Sequence, residues 1–129
     1  MSFQPSTYAV THVVTDDDTA ATVRSGDLPV LATPRLLAWL EEASCGAVVL
    51  DASNTSVSWK VELEHLAPSP VGAEVTATAT VVQRDGRLIR FQVVAHDVTG
   101  TVLATGEAQR VVVDREQFLS QLEQPAVGD

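Results

Sequence analysis

The chain has 129 residues, enough for one compact domain and too few for two ordinary ones. Its formal net charge of -9 sets it against a bare phosphate backbone, although a few local arginines can still hold an anionic ligand. A single cysteine excludes an intrachain disulfide and fits a reducing compartment. Thr7–Val14 alternates as a strand, with Tyr8, Val10 and His12 on one face. Asp16-Asp17-Asp18 then makes an acidic turn, Ala20–Arg24 reads as a short strand, and Ser25–Pro29 is a loop. Thr33-Pro34 starts a helix, with Thr as N-cap and Pro at the first helical position, where its missing N–H costs nothing. The helix is expected to reach about Leu50 on a stripe of Leu36, Leu40, Ala43, Ala47 and Leu50. Trp39, Cys45, Val48 and Val49 widen the stripe, so most of the helix should be buried.

The remaining chain is β-patterned. Thr55–His65 puts Val57, Trp59, Val61, Leu63 and His65 on one face and Ser58, Lys60, Glu62 and Glu64 on the other. Val71–Gln83 alternates around Val75, Ala77, Ala79 and Val81, and Asp85-Gly86 forms a tight hairpin into Leu88–Asp97. Thr99-Gly100 makes a second hairpin into Val102–Val113, after which Asp114 caps a short helix, Arg115–Leu122. The expected fold class is α+β: one domain over 1–129, ordered over about 7–122, with a long helix wrapped by a curved antiparallel sheet. An uncovered sheet edge or face then calls for a second copy, as a homodimer or higher homo-oligomer. Met1–Ser6 lack signal-peptide character, and the apolar run Leu36–Leu50 is interrupted by Glu41, Glu42 and Ser44. A cytoplasmic protein with neither nucleic acid nor membrane as partner is expected.

Three residues stand out chemically. Glu41 lies on the flank of the apolar stripe, where a carboxylate is costly unless paired and suits a base or nucleophile role; the plainer reading is solvent exposure. His65 ends a strand on its apolar face before the Pro-rich turn Pro68-Ser69-Pro70, placed either for proton transfer or for a backbone hydrogen bond. Thr33 caps the helix, whose free N–H groups and dipole suit a developing oxyanion. Arg110 is a weaker candidate for holding an anionic ligand group, against the alternative of a surface arginine at a strand end. Cys45 is expected in the core, His96 on the surface, and His12 has only a weak case. The scattered histidines carry no metal-ligand spacing, so no metal is expected.

Taken together, Val30-Leu31-Ala32-Thr33, Glu41 eight residues on, His65-Leu66-Ala67-Pro68-Ser69-Pro70-Val71-Gly72, Asp85-Gly86-Arg87-Leu88-Ile89-Arg90-Phe91 and Gly106-Glu107-Ala108-Gln109-Arg110 give a recognisable order. Over about Thr7 to Phe118 the chain resembles hot-dog-fold thioesterases, in the subgroup that includes fluoroacetyl-CoA thioesterase. The resemblance implies an acyl-CoA substrate, no bound cofactor, and a catalytic set of Thr33, Glu41 and His65; with such a substrate Arg110 becomes a weaker candidate for holding a CoA phosphate. It departs from the subgroup in a shorter Arg24–Thr33 segment without the Phe-bearing stretch, in Ser58 where a Gly is expected, and in Ala108 where a His often precedes the final Arg. These departures count against the fluorinated substrate and leave the thioesterase class. The alternatives are a non-catalytic hot-dog protein binding an acyl thioester or other apolar ligand, and a hydratase or dehydratase. The latter wants an Asp–His pair, and adjacent His96-Asp97 on a strand point to opposite faces.

Overall fold

The computed structural model describes residues 6–123. Strand β1 is Thr7–Val13, and a 3₁₀ turn at Asp16–Asp18 follows. Asp18 closes that turn by accepting from both the backbone N–H (2.9 Å) and the hydroxyl (3.0 Å) of Thr15. The expected strand at Ala20–Arg24 is instead a single helical turn, α1, Ala20–Val23. Thr19 caps it, accepting from Thr22 N–H, and Arg24 ends it in the left-handed region at φ 72°. The first amides of α1 find acceptors in the returning loop: Ala20 N–H bonds the Val30 carbonyl and Ala21 N–H the Leu28 carbonyl.

Helix α2 is Thr33–Gly46. It starts one residue earlier than expected and ends before Leu50. Ala32 is the N-cap, so Thr33 lies inside the first turn and its hydroxyl does not cap the helix. At the other end Gly46 sits against the Tyr8 ring of β1, where a Cβ would overlap the aromatic carbons. Leu36, Trp39, Leu40, Ala43 and Ser44 form the buried face. Cys45, expected in the core, is exposed, because the helix packs on one face only.

The five strands form one antiparallel sheet in the order β1-β3-β4-β5-β2, with β2 Asn54–His65, β3 Glu74–Asp85, β4 Leu88–Asp97 and β5 Val102–Asp114. The helix lies on a floor of small and branched residues: Val75, Ala77 and Ala79 of β3 and Ile89, Phe91, Val93 and Ala95 of β4 are at most 1% exposed. Small alanines let the helix axis approach the sheet closely. Both hairpins occur as read, with Gly86 at φ 60° and Gly100 at φ 85°. Asp97 staples the second: its carboxylate accepts from the Thr99 hydroxyl at 2.7 Å and from the amides of Thr99 and Thr101. Those bonds, the hydroxyl first, hold its pKa below the ordinary carboxylate value. Asp114 caps α3, Arg115–Ser120, through Gln117 N–H.

One strand departs from its expected pattern in a way that matters for the site. The β2–β5 register slips between Ser58 and Lys60, leaving Trp59 as the extra residue of a bulge. Beyond it Val61, Leu63 and His65 pair with Ala108, Gly106 and Ala104 and face the helix, as the alternation requires. Before it, Ser56 and Ser58 pair with the buried Val112 and Arg110, so these serines take the helix side. Val57 and Trp59, expected on that side, turn outward; Trp59 is 63% exposed and its indole donates to Gln109 at 2.9 Å. A single extra residue exchanges the two faces.

Gly106 of β5 is set by a close approach. A Cβ there would fall on the backbone carbonyl of Glu62 in the neighbouring strand. Gly106→Ala is therefore expected to force β2 and β5 apart and to cost about 1–3 kcal/mol of stability, as overpacking does. Chemical denaturation of the two proteins checks this.

Among the described residues no helix is long and apolar enough to cross a membrane.

Candidate active site

The loop before α2 and the loop after β2 are stitched together by backbone. Leu31 N–H donates to Ser69 O at 2.8 Å, Val30 bridges Pro70, and Leu66 N–H donates to Leu103 O at 2.7 Å. This brings the start of the helix against the end of β2. Thr33 Oγ1 and His65 Nδ1 lie 2.7 Å apart, although 32 residues separate them in the chain. The hydroxyl that was expected to cap the helix is free for this contact because Ala32 occupies the cap position. His65 Nε2 is buried and has no partner among the described residues. A neutral imidazole has one donor and one acceptor nitrogen, so the ring is half-satisfied and has one position left for another group. A cavity of about 320 Å³ opens at this point, lined by Val30, Thr33, His65, Leu66, Ala67 and Pro68. Apart from the hydroxyl and the imidazole its walls are apolar side chains.

The first turn of α2 also offers an amide. Pro34 has no N–H, and those of Arg35 and Leu36 both go to Ala32 O. Among the described residues Thr33 N–H has no backbone acceptor, and it lies at the positive end of the helix dipole.

Glu41 does not join this pair within the chain. It projects from the same helix toward β5, with its side chain 32% exposed, and its cationic neighbour is Arg110, Nη1 to Oε2 3.8 Å. Arg110, read from sequence as a candidate for a CoA phosphate or else as a surface residue, is only 7% exposed. Its Nε donates to Ser56 Oγ at 2.8 Å and its Nη2 to Ser56 O at 3.0 Å. Sequence reading missed Ser56 because the bulge that turns it toward the helix leaves no mark in the alternation. Glu42 points the other way, to His12 on β1, at 2.7 Å. The His12 ring stacks on Trp39 with centroids 4.7 Å apart. The two adjacent glutamates thus have different environments, one beside a buried guanidinium and one in a largely exposed pair. His96, expected at the surface, is half-buried across from Thr76.

A larger cavity of about 570 Å³ lies along β2 and β5, and Glu62, Glu64 and Glu107 are among its lining residues. Next to it Arg90 makes a bidentate pair with Glu107, at 2.9 and 3.2 Å. The hydrogen bonds of that pair lower the Glu107 pKa and raise that of Arg90. No imidazole is among the lining residues of that region, whereas the smaller cavity sets the Thr33 hydroxyl against the His65 ring at a helix N-terminus.

Residues 14–116 match the family model described as fluoroacetyl-CoA-specific thioesterase. The chain belongs to that family. Solved structures agree on the fold of the fluoroacetyl-CoA-specific thioesterase family, the α+β hot-dog fold. A hot-dog-like protein of Thermanaerovibrio acidaminovorans is 28% identical, with a TM-score of 0.82 over 91% of this chain and 87% of that one. A mutant of the fluoroacetyl-CoA-specific thioesterase FlK in complex with fluoroacetate and CoA is 26% identical, with a TM-score of 0.83 over 91% and 97% of the two chains. A thioesterase-superfamily protein of Thermus thermophilus has a TM-score of 0.84 over 91% and 88%; at 22% identity it speaks to the fold alone. No curated protein sequence matches the chain significantly.

Proposed function

We propose that the protein is a cytoplasmic acyl-CoA thioesterase whose active site is assembled from two copies of the chain, with Thr33, Glu41 and His65 as its catalytic residues. The observation that carries this reading is the Thr33–His65 contact of 2.7 Å, with the second ring nitrogen buried and unpaired, at the N-terminus of a helix. The thioester carbonyl would lie at that terminus, where Thr33 N–H and the dipole stabilise the oxyanion. Glu41 takes a proton from water as the oxygen attacks, or attacks the carbonyl itself and is regenerated by water. Collapse of the tetrahedral species breaks the C–S bond. His65 delivers a proton to the departing thiolate and is reprotonated by the proton that Glu41 took from water, so both groups are restored and the products are a carboxylic acid and free CoA.

A second copy is required by distance. Thr33 and Glu41 are eight residues apart on one helix, about 12 Å along its axis at ~1.5 Å per residue. Reacting groups work within about 3–3.5 Å. Two antiparallel helices related by a two-fold axis place the start of one beside the middle of the other. The edge strand β2, with Trp59 exposed on it, offers a sheet edge for such a partner.

The purified protein is expected to release CoA from at least one member of a panel of short, medium and aromatic acyl-CoA esters, followed by free-thiol detection. Tight binding of an ester with no release above background would make the protein a ligand-binding member of the family instead. His65→Ala is expected to lower turnover with little change in melting temperature, because His65 is the last residue of β2. A large drop in melting temperature with an unchanged rate would return His65 to a purely structural role.

A further inference from the structure

Given Glu41 as the catalytic carboxylate, we propose that Arg110 and Ser56 form a clamp that holds Glu41 in its working position from the sheet side. Arg110 is a positioning residue here and does not contact the substrate. Two observations support this. The guanidinium is fixed at two points on one residue: Nε donates to the Ser56 hydroxyl and Nη2 to the Ser56 carbonyl, at 2.8 and 3.0 Å. A planar fork held at two points cannot rotate, so its remaining Nη1 is aimed in one direction. That direction is Glu41, 3.8 Å away. The side chain of Arg110 is 9% exposed, which places the cation beneath the helix flank and away from a solvent rim where a CoA phosphate would be met.

The helix holds the other end of the same residue. Ser44, fully buried, donates its hydroxyl to the Glu41 carbonyl oxygen at 2.6 Å. Glu41 is therefore held at its backbone by Ser44 and at its carboxylate by Arg110. With a third of its side chain exposed, an unclamped Glu41 would swing into water, where it solvates well and reaches nothing. The clamp exists only because of the bulge at Trp59. Without that extra residue Ser56 would face outward and Arg110 would lose the Ser56 hydroxyl as an anchor.

The test uses the full chain and four changes: Arg110→Gln, Arg110→Lys, Ser56→Ala and Glu41→Gln. Arg110→Gln is expected to lower kcat by about ten-fold or more, the scale on which small misplacements act, with KM changed by less than about two-fold. Arg110→Lys keeps the charge but loses the two-point anchor, and should fall between wild type and Arg110→Gln. Ser56→Ala should lower kcat a few-fold. Added to Glu41→Gln, the Arg110→Gln change should cost no further turnover. Denaturant unfolding of the Glu41 and Arg110 single and double variants gives a second readout that does not depend on activity. The two changes should be non-additive, because the residues touch. A rise in KM with unchanged kcat in Arg110→Gln would overturn the proposal and give Arg110 to the substrate phosphate. Additive unfolding effects would overturn it as well. A normal kcat in Arg110→Gln beside a slow Glu41→Gln would sink the clamp and leave Glu41 standing. Full turnover in Glu41→Gln would remove the catalytic assignment, and with it the clamp's catalytic meaning. If Arg110→Gln does not fold, Arg110→Lys and Ser56→Ala decide by the same split between kcat and KM.

Discussion

Glu41→Gln is expected to lower thioester hydrolysis by about a hundred-fold or more, the usual cost of removing a general base, while Glu42→Gln leaves it nearly unchanged. The two residues are adjacent and chemically identical, so the contrast isolates position. Glu42 is 52% exposed and its partner His12 is 36% exposed. Exposed pairs of this kind contribute roughly 0–1 kcal/mol to stability, and Glu42 faces β1, away from His65. Glu41 sits on the flank that carries the buried Arg110. Neither change alters side-chain volume, so a selective rate loss at Glu41 cannot be ascribed to packing. Steady-state kinetics of the two variants on the best ester of the panel would settle the matter. Equal and mild effects would mean that both glutamates are merely solvated.

The second large effect is complementation between subunits. Thr33→Ala and Glu41→Ala homodimers should each be much less active than wild type. Co-expressed with different tags and purified as the mixed dimer, they are expected to recover to near half of wild-type activity. In that dimer one of the two sites carries both lesions and the other carries none. Recovery needs Thr33 and Glu41 to reach the thioester from different chains, the arrangement proposed above from their separation of ~12 Å along one helix. A mixed dimer no more active than its parents would place both residues in one chain's site, or reduce Thr33 to a structural contact of His65.

The β3, β4 and β5 strands and their two hairpins are legible in the sequence because alternation in β3 and the β-patterned runs after it are bounded by Gly86 and Gly100, at turns that need positive φ. The Asp114 cap was legible for a similar reason: the signal is local and carried by one residue type. Failures came where a local signal competed with a contact far along the chain. Ala20–Arg24 alternates like a strand, but Thr19 caps it and the carbonyls of Leu28 and Val30 take its free amides, so it coils. Thr33 looks like a cap by composition, yet Ala32 is the N-cap, Thr33 is the first helical residue and its hydroxyl goes to His65. Cys45 seemed to belong to the core only because nearly every neighbour on the helix is apolar. At the candidate site, the residues Thr33, Glu41 and His65 were named from motif order. The pairing of Thr33 with His65, and of Glu41 with Arg110, depends on how the sheet folds the chain back, and no spacing encodes that.

The extra residue at Trp59 gives β2 two halves that are out of phase. One half lends the helix side a pair of serines and the other lends it valine, leucine and histidine. Moving between those two chemistries at a given depth needs no substitution, only a change of one in the length of the strand. Among proteins of this fold, insertions and deletions in β2 are therefore a route by which a site can exchange a polar anchor for an apolar wall in one step. Two chains that share every other residue of this strand but differ by the one at the bulge would present different surfaces to the same ligand.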